Sequence, residues 1–354
     1  MKSEKPARNS NHELLRILSM YMIVFVHSGV YLDYFCTGMA GKFFSGAVNG
    51  ICNIGVTCFI LISGYYGARF GIKKFVRMEC MMITYSLLET VVLWYAMPET
   101  MEGVALLEQA IKSLLPFITR KYWFYSSYVC LLLLSGYIQK FIDMMEREEL
   151  SRFLLLLLFL FSALPTCFYF ELVPDSGKGL VQMIMIYIIG RYIRLYQDIS
   201  MPKRAGLVFC GLWMINGISH EIPFQLGGVS HHLCKDNSMT NIIMAIILFY
   251  LFKGMKLKSK VINKAAGHVF AVFALNYSLV SVIIEKMIIA GWKSPDGIFG
   301  FLAMALTVFL IMALCLMIGA IREWIFGRAD RKLGEAVSAA AGPAELFIKK
   351  RIAD

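Results

Sequence analysis

Charge is scarce in this chain. Only 17% of its 354 residues are Asp, Glu, Lys or Arg, whereas an ordinary soluble domain carries about 25%. With 58% hydrophobic residues and a mean hydropathy of +0.64, that shortage excludes a soluble globular domain and points to a polytopic membrane protein. Cysteine pairs are also missing. Nine cysteines are scattered with no CxxC pair, so neither a zinc site nor a disulfide framework is indicated. Cys36 and Cys234 could share the outer side, with nothing in their spacing to pair them. His220, His231 and His232 lack the spacing of a known metal geometry, and no metal is expected. No small-residue cleavage site follows the first apolar run, which is expected to serve as an uncleaved anchor. Inverted internal repeats, the mark of many carriers, are not seen.

The net charge of +11 invites a nucleic-acid reading that its distribution rejects. Ten apolar stretches read as membrane spans, at approximately 14–33, 45–65, 78–97, 122–139, 153–171, 180–196, 205–219, 239–252, 266–290 and 297–321. The seventh and eighth are the least secure, being shorter than the ~20 residues a simple crossing needs. With the N-terminus inside, 27 of the 35 Lys and Arg residues fall on one side. That is the positive-inside bias, and it places both termini in the cytoplasm of a cell (inner) membrane protein. The excess charge is topological, and no nucleic acid is expected. The fold class is therefore all-α, a bundle of about ten transmembrane helices over 1–324, followed by a charged, Ala-rich cytoplasmic helical tail over 325–354.

The chain is organised around its first stretch, Asn11 to Gly29. Arg16 and His27 stand eleven residues apart, roughly three turns and 16 Å along one helix face. That puts Arg16 at a membrane edge and His27 near mid-membrane, in an otherwise apolar run. An ionisable group at that depth is costly and faces a protein interior or a water-filled cavity. On the residues alone, a buried histidine capped by a neighbouring helix and a merely topological arginine explain this as well as a functional site does.

Other stretches are informative to differing degrees. The second span is rich in small residues (Gly46, Ala47, Gly50, Gly55, Ser63, Gly64), which would let another helix approach closely. In ARFGIKKFVR, Lys74 and Arg77 share one helix face; plain positive-inside charge explains them equally well. Glu79 and Glu89 are intramembrane carboxylates, and Glu79 reads as a partner of Lys74 or Arg77. MEGVALLEQAIKSLL is amphipathic and is expected to rest on the membrane surface or cap the bundle. The aromatic run at Tyr122 to Tyr125 reads as an interfacial belt. The polar loop 220–238 reads as a solvated cover over the outer mouth. The run KGMKLKSKVINK is basic enough to meet anionic lipid or ligand phosphates.

Four of these segments resemble the acyltransferase 3 family of multi-helix membrane proteins. ELLRILSMYMIVFVH has that family's basic residue, ten spacers and histidine, here Arg16 and His27. NIGVTCFILISGYYG has its Gly-Val, aromatic-rich run and Ser-Gly, here Gly55, Val56, Phe59, Ser63 and Gly64. Lys74-x-x-Arg77 fits its basic pair, although Met78, Glu79 and Cys80 then depart from it. The segment from Trp123-Phe124 fits as far as Ser135-Gly136, where the family has Ser-Pro. The stretch Phe270 to Leu275 resembles its closing signature, but Asn276 stands where relatives have a histidine.

The resemblance implies an integral membrane O-acyltransferase, most simply an O-acetyltransferase. It would move an acyl group from acetyl-coenzyme A, or another acyl-coenzyme A, to a hydroxyl of a carbohydrate. The acceptor would be a polysaccharide or a lipid-linked glycan, as in bacterial polysaccharide modification. Arg16, Lys74 and Arg77 would hold the donor's phosphates. His27 would act as general base, or as a carrier of the acyl group. Trp123, Asn276 and Ser63 are the candidate substrate contacts. Membrane lipids are expected neighbours, and a homo-oligomer is left open. The alternatives are a carrier or flippase for a glycan or small metabolite, with His27 and Glu79 lining a pathway, and a structural partner in polysaccharide export.

Overall fold

The computed structural model describes residues 9–36, 38–196, 201–226, 229–293 and 297–342, and it is 81% helical. Lys2, Lys5 and Arg8, and the part of the expected tail beyond 342, lie outside the described residues. All-α is therefore correct as a class. The ten expected stretches all fall on helices, but five helices are long and apolar enough to cross a membrane.

The first of these contains α1, Ser10–Ser28, capped by the Asn9 side chain, which accepts from the Asn11 N–H; such a cap is worth about 1 kcal/mol. Ser10 and Asn11 hold the basic segment after residue 254. The Leu257 N–H donates to Asn11 Oδ1 at 2.9 Å and the Ser259 N–H to Ser10 Oγ at 3.0 Å. The helix stops sooner than the expected limit of 33. A 3-10 turn over Gly29–Tyr31 and one helical turn over Leu32–Phe35 follow it, so His27 lies in the last turn of α1 and not in mid-helix.

The second qualifying stretch is α2 (Gly38–Cys52) and α3 (Gly55–Tyr65), broken at Asn53–Ile54. Its small residues do bring backbones together. A side-chain carbon at Gly64 would collide with the Tyr187 carbonyl, and one at Gly190 would lie 2.5 Å from that of Leu61.

Helix α4 (Ile72–Ala96) begins earlier than expected and takes Lys73, Lys74 and Arg77 into its first turns. Cations there oppose the helix dipole. Carboxylates from the end of the chain compensate, with Glu335 at 2.6 Å from Lys73 and Glu323 at 2.8 Å from Arg77. Despite its 25 residues α4 is not among the five helices apolar enough to cross.

The amphipathic stretch forms α5, Gly103–Leu114, with Val104, Leu107, Ile111 and Leu114 all exposed. That face suits a membrane surface. Next come α6 (Trp123–Asp143) and α7 (Arg147–Leu158). The latter runs on to Phe168 through a π-helical turn at Phe159–Ala163, next to Pro165, whose missing N–H a widened turn accommodates. Helices α8 (Leu180–Leu195), α9 (Ala205–Glu221) and α10 (Met239–Gly254) have 16, 17 and 16 residues. At 1.5 Å each they reach roughly 24–26 Å, short of the ~30 Å hydrocarbon layer. The polar loop between α9 and α10 contains a two-stranded antiparallel ribbon, β1 (Phe224–Leu226) and β2 (Val229–His231).

Helix α11 (Val269–Ile289) and the 44-residue α12 (Gly297–Ala340) complete the bundle. The latter runs unbroken past 324, so the expected tail begins inside a helix. Arg322 is buried there and paired with Asp330. Helix α1 packs against α2, α3, α10, α11 and α12. Leu15, Met20, Val24 and Phe25 are buried along it. The first stretch is the hub of the fold.

Candidate functional site

His27 meets Asn276 of α11, its Nδ1 lying 2.5 Å from Asn276 Oδ1. The amide orientation follows from its other partners. Asn276 Nδ2 donates to the carbonyls of Val272 at 2.9 Å and Phe273 at 2.8 Å, so both its hydrogens are used and only Oδ1 faces the ring. An amide oxygen can only accept, which places the imidazole proton on Nδ1. Nε2 then carries a lone pair and has no hydrogen-bond partner among the described residues. Tyr277 packs edge-on to the ring, with centroids 5.7 Å apart.

His27 lines a cavity of about 490 Å³ between α1, α4, α5, α6 and α11. Trp123, Phe273, Asn276 and Tyr277 are in its wall, together with Glu89 and the residues from Thr119 to Tyr122. Glu89 is the centre of a buried polar node. Its Oε2 accepts from Tyr122 Oη at 2.5 Å and lies 3.0 Å from Lys121 Nζ. Its Oε1 accepts from Ser278 Oγ, and Lys121 also donates to Ser113 Oγ at 2.9 Å. Their side chains are only 8% and 6% exposed, so each charge depends on the other: deleting one member of such a pair typically costs about 3–5 kcal/mol.

A second, smaller cavity of about 160 Å³ lies beside the first turns of α4, lined by Arg69, Phe70, Lys74, Met78 and Tyr128 among others. Glu89 stands fifteen residues beyond Lys74, roughly 22 Å along α4, so the two cavities sit at different levels of the bundle. Between them lies Phe124. It stacks on Tyr128 of the second cavity with centroids 5.8 Å apart, and meets Phe273 of the first at 5.3 Å.

The candidate residues divide accordingly. His27, Trp123 and Asn276 share the large cavity, and Lys74 lines the small one. Arg16, Arg77 and Ser63 line neither. Arg16 Nη1 lies 3.0 Å from Glu13 Oε1, and Arg77 is held by Glu323. Ser63 is buried, donates to the Phe59 carbonyl and lies 3.1 Å from the Tyr128 hydroxyl. Glu79 pairs with neither Lys74 nor Arg77 and instead accepts from the Tyr125 hydroxyl of α6.

The family model for an acyltransferase domain, that of the acyltransferase 3 family, matches residues 9–320. The chain belongs to this family. No curated protein and no solved structure matches it. It is thus a multi-pass membrane acyltransferase whose first-helix histidine opens on a cavity.

Two parts of this acyltransferase's site escape a reading of the sequence. The Lys121–Glu89–Tyr122–Ser278 node joins residues far apart in the chain, and only the isolated carboxylate in an apolar stretch gives a signal. Arg120 lines the cavity with a left-handed backbone, φ 53°, at a position that no glycine marks. Nearby loops carry titratable groups of their own. Burial pushes the Asp236 carboxyl up to about 7. Burial and the neighbouring His220 and Lys235 hold the His232 imidazole down at about 4. The positive charge of Lys178 helps to hold the His232 imidazole down and partly offsets the rise of the Asp236 carboxyl.

Proposed function

We propose that this acyltransferase moves an acyl group, most simply acetyl, from an acyl-coenzyme A to a hydroxyl of a carbohydrate, with His27 as the general base. What supports this reading is the imidazole itself. Its Nδ1 proton is committed to Asn276, and its Nε2 lone pair is left in a cavity large enough for a small substrate.

In the proposed step the acceptor hydroxyl gives its proton to Nε2 as its oxygen bonds to the thioester carbonyl carbon. The carbon–sulfur bond then breaks, and the departing thiolate takes the proton from the imidazolium. Positioned proton transfer of this kind is worth about 10²–10⁴ in rate. The donor's phosphates would be met on the basic face by Lys74, Arg77 and Arg16, with the acyl end passing Phe124 towards His27. Trp123 would pack against the sugar, and Ser63 would support the wall through Tyr128. That basic face would be cytoplasmic in a cell inner membrane, with the acceptor entering from the opposite side.

The test is transfer of labelled acetyl from acetyl-coenzyme A by detergent-purified protein, wild type against His27→Ala. The expected result is loss of activity with unchanged expression and melting; an active, normally folded variant would overturn the assignment. Acyl label on His27 when donor is supplied without acceptor would instead mark a covalent route through the same lone pair.

A further inference from the structure

Eight of the 35 Lys and Arg residues fall outside the basic-rich segments. Three of those eight, Lys112, Arg120 and Lys121, line the His27 cavity. Arg120 is the sole arginine among the eight. The cavity wall holds one carboxylate, Glu89, and Lys121 already matches it at 3.0 Å. Lys112 is matched by Glu108 at 2.5 Å across a solvent-exposed pair. Arg120 has no carboxylate partner among the described residues, and its side chain is exposed. Its backbone nevertheless adopts φ 53°, a region that residues other than glycine enter infrequently. An arginine at the mouth of a cavity whose one lining carboxylate is already neutralised has no carboxylate of its own to leave before meeting an anion that enters.

We infer that the His27 cavity selects an acceptor carrying an anionic group, a carboxylate or a phosphate, which Arg120 holds at the mouth while a hydroxyl of the same molecule reaches His27. The inference rests on the carbohydrate-acylation reading and adds the charge of the acceptor to it. A guanidinium presents a planar fork of donors that matches both oxyanions in two-point contact. Trp123 and Tyr277 supply the flat apolar surfaces against which a sugar ring can pack.

The test measures the binding of three probes to the full-length, detergent-purified protein without donor: methyl glucoside, methyl glucuronide and glucose 1-phosphate. The expected result is that at least one anionic sugar binds roughly tenfold tighter than the neutral one, with a gap that narrows as salt is raised. The glucuronide and the sugar phosphate distinguish a carboxylate from a phosphate as the recognised group. Arg120→Gln should close most of the gap, and Arg120→Lys should restore part of it. Arg120→Gly relaxes the backbone yet should lose the preference as Gln does, which separates the charge from the conformation. Equal binding of neutral and anionic sugars by the wild type, or a gap that survives Arg120→Gln, overturns the inference. Binding of none of the three, by protein that still cleaves acetyl-coenzyme A, overturns it while leaving the acyltransferase reading in place. If the thioester also survives, the parent reading falls with it.

Discussion

The two cavities are built on opposite principles. Around His27 the polar groups are already committed in fixed directions. Asn276 has both its amide hydrogens and its carbonyl oxygen in hydrogen bonds, and Glu89 accepts from three side chains. The Lys74 cavity is lined by two cations, Lys74 and Arg69. Arg69 donates to Gln139, and only the cations just outside the lining sit on carboxylates of the same chain, Arg77 and Arg331 on Glu323 and Lys73 on Glu335. The first arrangement orients a base before any substrate arrives, which is where electrostatic and positional catalysis is most effective. The second holds part of its charge in reserve: an anionic ligand that reaches Arg77 or Lys73 must displace a carboxylate before gaining its own contact.

The sharpest way to break the comparison is to unfix the base. Asn276→Leu removes the acceptor that keeps the His27 proton on Nδ1, so the ring is free to turn or change tautomer. We expect acyl transfer to fall by about 10²–10⁴ with little change in donor binding, read as kcat against KM for acetyl-coenzyme A. A loss confined to KM would show that Asn276 serves only to shape the cavity.

Next in size is the buried node. Lys121→Met leaves Glu89 buried without its cation, and the expected loss is about 3–5 kcal/mol, seen as a lowered Tm in detergent. The double variant with Glu89→Leu should recover much of it, because two apolar groups leave no uncompensated charge. Equal melting of Lys121→Met and wild type would mean that water reaches Glu89 freely.

Much of this contrast is absent from the linear chain, for physical reasons. The Arg16–His27 spacing was legible because both residues lie on one uninterrupted helix, where position along the chain translates into place in space. Asn276 was legible as a departure from a family pattern, but its contact spans 249 residues and becomes visible only when α1 and α11 pack. Glu79 illustrates the limit. Proximity in sequence suggested Lys74 or Arg77, yet packing against α6 gave it Tyr125, while Arg77 went to a carboxylate 246 residues away. The helical class followed from composition, which every segment shares. The count of about ten spans is not confirmed: five helices are long and apolar enough to cross, and α8, α9 and α10 end after 16 or 17 residues, a limit that hydropathy alone does not fix.

A smaller effect belongs to the loops on the His27 side. Asp236 is buried with its carboxyl pushed up to about 7 from the ordinary 3.8, so folding favours the neutral form. Its stabilising contribution is therefore complete below the unfolded value and is lost as pH rises through the folded one. Asp236→Asn, which never ionises, should raise the Tm at pH 8 and leave it nearly unchanged near pH 4. The opposite ordering would mean that the carboxylate is stabilised by a cation, with Lys178, whose charge favours the ionised form, the candidate.

The smallest expected effect tests the reserve of charge at the other end. Glu323→Gln releases Arg77 and Arg331 from their shared carboxylate, and Glu13→Gln does the same for Arg16. If these cations meet donor phosphates, each substitution spares the ligand a competition it otherwise has to win. Partly exposed ion pairs are worth about 0–1 kcal/mol, so coenzyme A binding, measured by calorimetry, should tighten by no more than roughly fivefold. The direction matters more than the size. Tighter binding in both variants would place the phosphates among Arg16 and Arg77, as the first-helix spacing and the Lys74-x-x-Arg77 pair suggest. Weaker binding would mean that the carboxylates hold the arginines in the geometry the ligand needs, so that the basic end is as fixed as the His27 cavity and the contrast between them disappears.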